Sequence, residues 1–267
     1  LVDIFKEKQM VSIGLARCDL GVGGAQAVAE YISVSASLTS IYLRGNNICA
    51  EGAKYIAGGI AISASLTTID IGCNKIGKEM VLQLIEVMKE KQMVSVGLAR
   101  CNLGVDGAQA VANYISVSAS LTRIDLRGNQ LGDEGTKQIA EGIAVSASLT
   151  SIDLGYNSVG KDMALQLVDI FKEKQMVSIG LASCDLGVGG AQAVAEYIAV
   201  SASLTSIDLT DNKLDAGGAY HIAKGIAVSA LLTKVLAFYK YWGSMSKGAS
   251  AMGLDIISSL PRVHRSI

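Results

Sequence analysis

Several groups of residues in this chain have types and spacings that could do chemistry. Gly21-Val22-Gly23-Gly24-Ala25 follows a strand-like segment and opens a helix-like one, the setting in which backbone N–H groups cradle a phosphate. No full G-x-x-x-x-G-K-[ST] motif accompanies it. Its near copy at Gly104 carries Asp106 where Gly23 stands, which puts a carboxylate where an anion would bind. The stretch therefore reads as a turn. His221 and His264 are the two histidines, and their Cys and His neighbours do not reach metal-ligand spacing. Ser is abundant, yet no G-x-S-x-G elbow occurs. Asp125 and Asp153 occupy the same place in successive strand-like segments, and paired carboxylates can exchange protons. Arg123 and Arg127 flank Asp125, which predicts a solvated charge ladder instead of a catalytic pair. Cys18, Cys101 and Cys184 recur at one offset. Three strand spacings, ~14 Å, separate such sites, beyond the ~7 Å Cα limit of a disulfide. With Cys49 and Cys73 also lacking an obvious partner, all five cysteines read as free and the three equivalent ones as buried, which implies the cytoplasm or another reducing compartment. No cofactor and no metal is expected.

The elements that would position these residues repeat. Strand-like segments start at Met10, Leu38, Leu66, Met93, Leu121, Leu149, Met176, Leu204 and Leu232, at steps of 27 or 28 residues. Each reads L-x-x-I-x-L-x-x-N-x-L, as in Leu121, Ile124, Leu126, Asn129 and Leu131. A longer period of 83 residues lies above the first. Leu1 to Met10 is identical to Leu167 to Met176, and Met10 to Ser37 differs from Met93 to Ser120 at only four positions. Tandem duplication of a three-repeat block explains both. Apolar residues at offsets 0, 3 and 5 point into a core, while those at offsets 2, 4 and 6 point the other way. Ala25, Val28, Ala29 and Ile32 form a helical stripe. One strand and one helix per turn predict a parallel sheet backed by helices. Strands need ~4.8 Å and packed helices ~8–10 Å, so the sheet lines a concave face. Lys6-Glu7-Lys8, Lys89-Glu90-Lys91 and Lys172-Glu173-Lys174 close every third helix, where cations suit the negative end of the helix dipole.

These letters resemble the leucine-rich repeat, in its ribonuclease-inhibitor-like class, which also forms the repeat arrays of NOD-like receptors and of the Ran GTPase-activating protein. The resemblance covers residues 1–231. It implies a curved right-handed α/β solenoid, a horseshoe with strands on the concave and helices on the convex face. It also implies that Asn46, Asn74, Asn129, Asn157 and Asn212 point inward and bond the loop backbone of neighbouring turns. From Leu232 the pattern decays, and residues 232–267 read as a degenerate last repeat and cap. The chain starts inside a helix-like run with no Met. This predicts a fragment of a longer chain, with upstream repeats or a partner covering the first turn and any targeting segment missing.

Lys and Arg number 23 against 24 Asp and Glu, which argues against a nucleic-acid partner held by surplus positive charge. A mean hydropathy of +0.40 raises membrane insertion, but Ser, Gly or a charge interrupts every apolar run before it could span a bilayer. The exposed triplets of the three blocks then locate recognition. They are constant in one strand type and change in the others: Ser40-Tyr42-Arg44, Arg123-Asp125-Arg127, Ser206-Asp208-Thr210. The expected function is a non-catalytic module that binds a protein partner through the concave strands and the strand-to-helix loops, with Tyr42, Arg44, Asp70, Arg123, Asp125, Arg127, Asp153 and Asp208 as contacts. Ser, Gly and Ala between them leave room for the partner. A structural subunit fixed in a large assembly, docking through Phe238, Tyr239, Tyr241 and Trp242, is the alternative. A GTPase regulator is the third reading, resting on the fold resemblance alone.

Overall fold

The structure is a computed structural model that describes residues 8–237. Phe238, Tyr239, Tyr241, Trp242, His264, the expected cap and the expected open first turn at Leu1 lie outside the described residues. The chain divides into two units, Leu1–Val159 and Gly160–Ile267.

In the first unit the order is β1 (Ser12–Gly14), α1 (Gly21–Val34), β2 (Ser40–Tyr42), α2 (Ala50–Ile62), β3 (Thr68–Asp70), α3 (Lys78–Lys89), β4 (Ser95–Gly97), α4 (Gly104–Val117), β5 (Arg123–Asp125), α5 (Gly132–Val145) and β6 (Ser151–Asp153). The strands pair in parallel and in chain order. Their central residues Ile13, Ile41, Ile69, Val96, Ile124 and Ile152 form one row across the register. The second unit contains α6 (Lys161–Lys172), β7 (Ser178–Gly180), α7 (Gly187–Val200), β8 (Ser206–Asp208), α8 (Ala216–Val228) and β9 (Lys234–Leu236). Its strands also pair in parallel, with Ile179, Ile207 and Val235 in register. The fold class is therefore the α/β repeat solenoid that the periodicity predicts.

Around β5 the inward and outward assignments hold, whereas in other turns small residues at outward offsets, such as Gly97, Ala99, Ser151 and Ala182, are buried. Leu121, Ile124 and Leu126 are buried, whereas Arg123 is exposed and Asp125 and Arg127 are half-buried. Ala25, Val28, Ala29 and Ile32 form the buried stripe of α1. Burial of these aliphatic faces supplies the main driving force, because each turn covers its neighbour and none has a core of its own.

The turn after each strand needs more than apolar burial. It enters the left-handed region at Arg17, Cys73, Arg100 and Tyr156, with φ of 58°, 57°, 54° and 58°, which costs ~1–2 kcal/mol per residue for an L side chain. The buried asparagines hold it. Asn129 Oδ1 accepts from Cys101 N at 2.8 Å, and its Nδ2 donates to Leu98 O and Leu126 O at 2.8 Å each. Asn46, Asn74 and Asn157 donate in the same way to a Leu, Ile or equivalent carbonyl of their own turn and of the turn before. Asn212 bridges to Cys184 N and Leu181 O.

All five cysteines are free, as the spacing predicts. Burial of the three equivalent ones holds only in part. Cys101 and Cys184 are buried, but Cys18 is exposed, because it lies in the first described turn and no described turn covers it. Cys49 and Cys73 are intermediate. Among the described residues no helix is long and apolar enough to cross a membrane.

Candidate binding face

The Gly-rich stretch at Gly21 serves packing. A Cβ at Gly24 would meet Leu20 Cβ at 2.7 Å, and Gly21 N donates to Asn46 O at 3.0 Å. The stretch is tied to the next turn at Gly21, and the Gly24 amide is taken by Leu20 O. In the near copy, Asp106 takes an ion pair with Lys78. The hydrogen bond from Lys78, and then its charge, hold the Asp106 carboxyl below the usual carboxylate range. His221 lies on α8, half-buried, with its ring edge-on to Tyr220 at 6.0 Å. Among the described residues no cluster of His, Cys, Asp and Glu could hold a metal ion. An open depression of about 450 Å³ at the starts of α2 and α3 is lined by Glu51, Lys54, Glu79 and Gln83 with apolar neighbours, a set with no nucleophile beside a base.

The exposed face of the first unit's sheet carries the predicted ladder, more tightly joined than the sequence suggests. Asp70, Gly97, Asp125 and Asp153 lie in one cross-strand row. Arg127 grips Asp125 in a two-point pair, Nε to Oδ1 at 3.0 Å and Nη2 to Oδ2 at 2.6 Å. Its Nε also lies 3.2 Å from Asp153 Oδ2. Arg44 joins from β2's side, with Nη1 3.9 Å from Asp70 Oδ2 and 3.6 Å from Asp125 Oδ2. Arg44 and Arg127, three strands apart in the backbone, thus converge on one carboxylate. The small residues of β4 make this possible. A Cβ at Gly97 would come within 2.6 Å of Asp70 Cγ, so the room that the small residues were expected to leave for a partner is at this point occupied by the Asp70 side chain.

Each Asp of the row has a second task. Asp70, Asp125, Asp153 and Asp208 accept from the backbone N–H two residues on, at 2.9, 3.1, 3.0 and 2.9 Å. They cap the strand exit, as aspartates do in turns. Asp208, in the second unit, also takes the Thr210 hydroxyl at 2.6 Å. The sequence spacing contains no sign of this capping beyond the recurrence of Asp at one offset.

Two of the predicted contacts stand apart from the network. Arg123 is exposed and lies between Ser95 and Ser151 in register. No carboxylate of the described residues pairs with it. Tyr42 on β2 is 41% exposed. Neither takes part in an ion pair among the described residues, whereas Arg44 and Arg127 are matched by carboxylates of the face, Arg127 with 40% of its side chain still exposed.

Comparison with known proteins agrees with this architecture. The sequence profile described as Leucine Rich repeat matches residues 34–57, 63–79, 117–140 and 200–223. No curated protein matches the chain. Among solved structures it is similar to a chain in the crystal structure of the yeast Rad7 and Elc1 complex. That likeness has 14% identity and a TM-score of 0.52, and covers 88% of this chain and 71% of that one. It is also similar to Leiomodin-1 actin-binding site 2, with 12% identity, a TM-score of 0.36, and 66% and 87% of the two chains covered. At 14% identity the likeness to the chain of the Rad7 and Elc1 complex is one of fold.

Proposed function

The chain is a leucine-rich repeat protein, and we propose that it is a non-catalytic module that binds a protein partner through the exposed strand face. The observation that carries this reading is the division of labour on that face. Asp125 and Asp153, the pair that could exchange protons, are both engaged by Arg127, which makes them salt-bridge partners instead of an acid and a base. Beside them Arg123 and Tyr42 are exposed, and Arg and Tyr are the residue types that most often dominate interfaces. The varying triplets on a constant core fit a surface that changes its partner while the scaffold stays. A chain of this fold occurs in a protein–protein complex, that of Rad7 with Elc1.

In this reading Arg123 and Tyr42 make the contacts. Arg44, Arg127, Asp70, Asp125 and Asp153 form the ion-paired surround of these contacts, and Asp208 caps its strand exit in the second unit. The test is the double variant Arg123→Ala with Tyr42→Ala, measured by titration calorimetry against a partner recovered with the wild-type chain. The expected loss is more than ~2 kcal/mol, with an unchanged circular dichroism melt. Full binding by a folded double variant would remove the strand face from consideration.

A further inference from the structure

The turns that leave the strands carry a charge in the first unit that they do not carry in the second. In the first unit the last outward strand position and the turn after it span residues 16–19, 44–47, 72–75, 99–102, 127–130 and 155–158. They hold Arg17, Arg44, Lys75, Arg100 and Arg127 against one carboxylate, Asp19, which accepts from Asn47 Nδ2. The described equivalents in the second unit, 182–185 and 210–213, hold Asp185 and Asp211 against Lys213. Arg44 and Arg127 are matched by the strand aspartates. Arg17, Lys75 and Arg100 are exposed, and no carboxylate of the described residues pairs with them.

The turn itself does not need an arginine. Arg17 N and Arg100 N donate to Arg44 O and Arg127 O at 2.8 and 2.7 Å, and in the third block Ser183 N donates to Thr210 O at 2.8 Å. The backbone is the same in all three, with φ of 58°, 54° and 55°. What differs is a seat for the side chain. A Cβ at Gly45 would stand 3.3 Å from Arg17 Cγ, and one at Gly128 would stand 2.9 Å from Arg100 Cγ and 3.6 Å from its Nε. Each arginine stem thus lies against the glycine of the next turn. In the third block the two are replaced together, the arginine by Ser183 and the glycine by Asp211. An arginine already held by its stem has less freedom to lose when it pairs with a carboxylate.

Arg17 and Arg100 stand three strands apart, ~14 Å. An extended peptide rises ~3.3 Å per residue and points residues i and i+4 to one side, so four of its residues cover the same distance. A formal net charge of -1 and the acidic turns of the second unit disfavour a nucleic acid, which is held by a basic surplus. We infer that the strand-exit edge of the first unit binds an extended acidic segment of a partner protein, with carboxylates four residues apart on Arg17 and Arg100 and Lys75 between them. The inference rests on the protein-binding reading and names the chemistry of what is bound.

Fluorescence anisotropy tests this with a labelled, end-capped peptide that repeats Glu-Glu-Ser-Ser three times. The expected result is binding that falls as salt is raised and that Arg17→Ser with Arg100→Ser weakens about tenfold, with an unchanged circular dichroism melt. Ser is the residue the third block already carries at this place. Lys54→Gln with Lys137→Gln, which removes the same charge from α2 and α5, leaves binding unchanged. A peptide of the same composition with its glutamates in one block, if bound as tightly, overturns the inference, since charge alone then suffices. So does a double arginine variant that keeps full binding, or a wild-type chain that binds a twelve-nucleotide oligothymidylate more tightly than the peptide. A wild-type chain that binds no peptide also overturns it, and leaves standing the strand face, which is tested separately through Arg123 and Tyr42 against a recovered partner.

Discussion

Asn129 and Arg127 lie two residues apart at one strand exit and do different work. Asn129 is fully buried, and its amide holds Cys101 N and Leu98 O of the preceding turn. Asn129→Ala leaves both without a partner, at ~1–3 kcal/mol for each buried group. Arg127 joins two half-exposed carboxylates, and such surface pairs contribute ~0.2–1 kcal/mol. Urea melts should rank the two changes in that order, with Asn129→Ala the larger by at least twofold; equal losses would contradict the inward and outward assignment. The thiols divide in the same manner. Cys18 is exposed and Cys101 buried, so an aromatic disulfide reagent should react with Cys18 in the native chain and with Cys101 only on unfolding. Burial first, and then the negative charges of Cys73 and Asp70, push the Cys101 thiol from 9.0 up to about 12. The folded state keeps this proton longer than the unfolded one. Its contribution to stability is thus complete below pH 9.0 and is lost as pH rises towards about 12. Unfolding midpoints should fall across that window, and Cys101→Ala should flatten part of the fall. An unaltered slope in the variant would place the alkaline loss elsewhere, with Tyr114 next in line, since burial also raises its hydroxyl.

Neighbouring helices pack closely enough for one glycine to be required while the next is free. In α2 a Cβ at Gly59 would stand 2.7 Å from Ala29 O on α1, whereas one at Gly58 would meet nothing within 4 Å. Gly58→Ala should stabilise by ~0.5–1 kcal/mol through helix propensity. Gly59→Ala should cost ~1–3 kcal/mol by overpacking, despite the same gain in propensity. Thermal melts that shift in one direction for both variants would mean that the helices are less closely packed than the structure has them. The two glycines are adjacent letters, and the sequence alone does not separate them. What was legible is what periodicity encodes: the strands, the buried stripe of α1, and the inward Asn129. What was not legible depends on side-chain reach. Arg44 and Arg127 are ~14 Å apart by strand spacing, yet both reach Asp125, Arg127 from two residues on and Arg44 across the strands between.

At the scale of the whole chain, repetition makes stability a sum over turns and their interfaces, and the 83-residue period makes that testable by removal of one period. Deleting residues 93–175 joins Gln92 to Met176, a Gln–Met junction the chain already has at 92–93 and at 175–176. The turn that then follows β3 carries Gly180 where Gly97 stood, so the Asp70 side chain keeps its seat. Asp208 arrives where Asp125 stood, so Arg44 keeps a carboxylate within reach. The Lys78–Asp106 pair is lost, because Gly189 takes the place of Asp106. That exposed pair is a minor term. The shortened chain should therefore fold with the same helical signal per residue and a single cooperative transition at a lower midpoint, because fewer interfaces share the cost of the terminal turns. Circular dichroism melts and dye binding check this. A broad melt with exposed apolar surface, the signature of a collapsed but unpacked state, would show that the blocks are not interchangeable, and that differences such as Arg100 against Ser183 carry part of the fold.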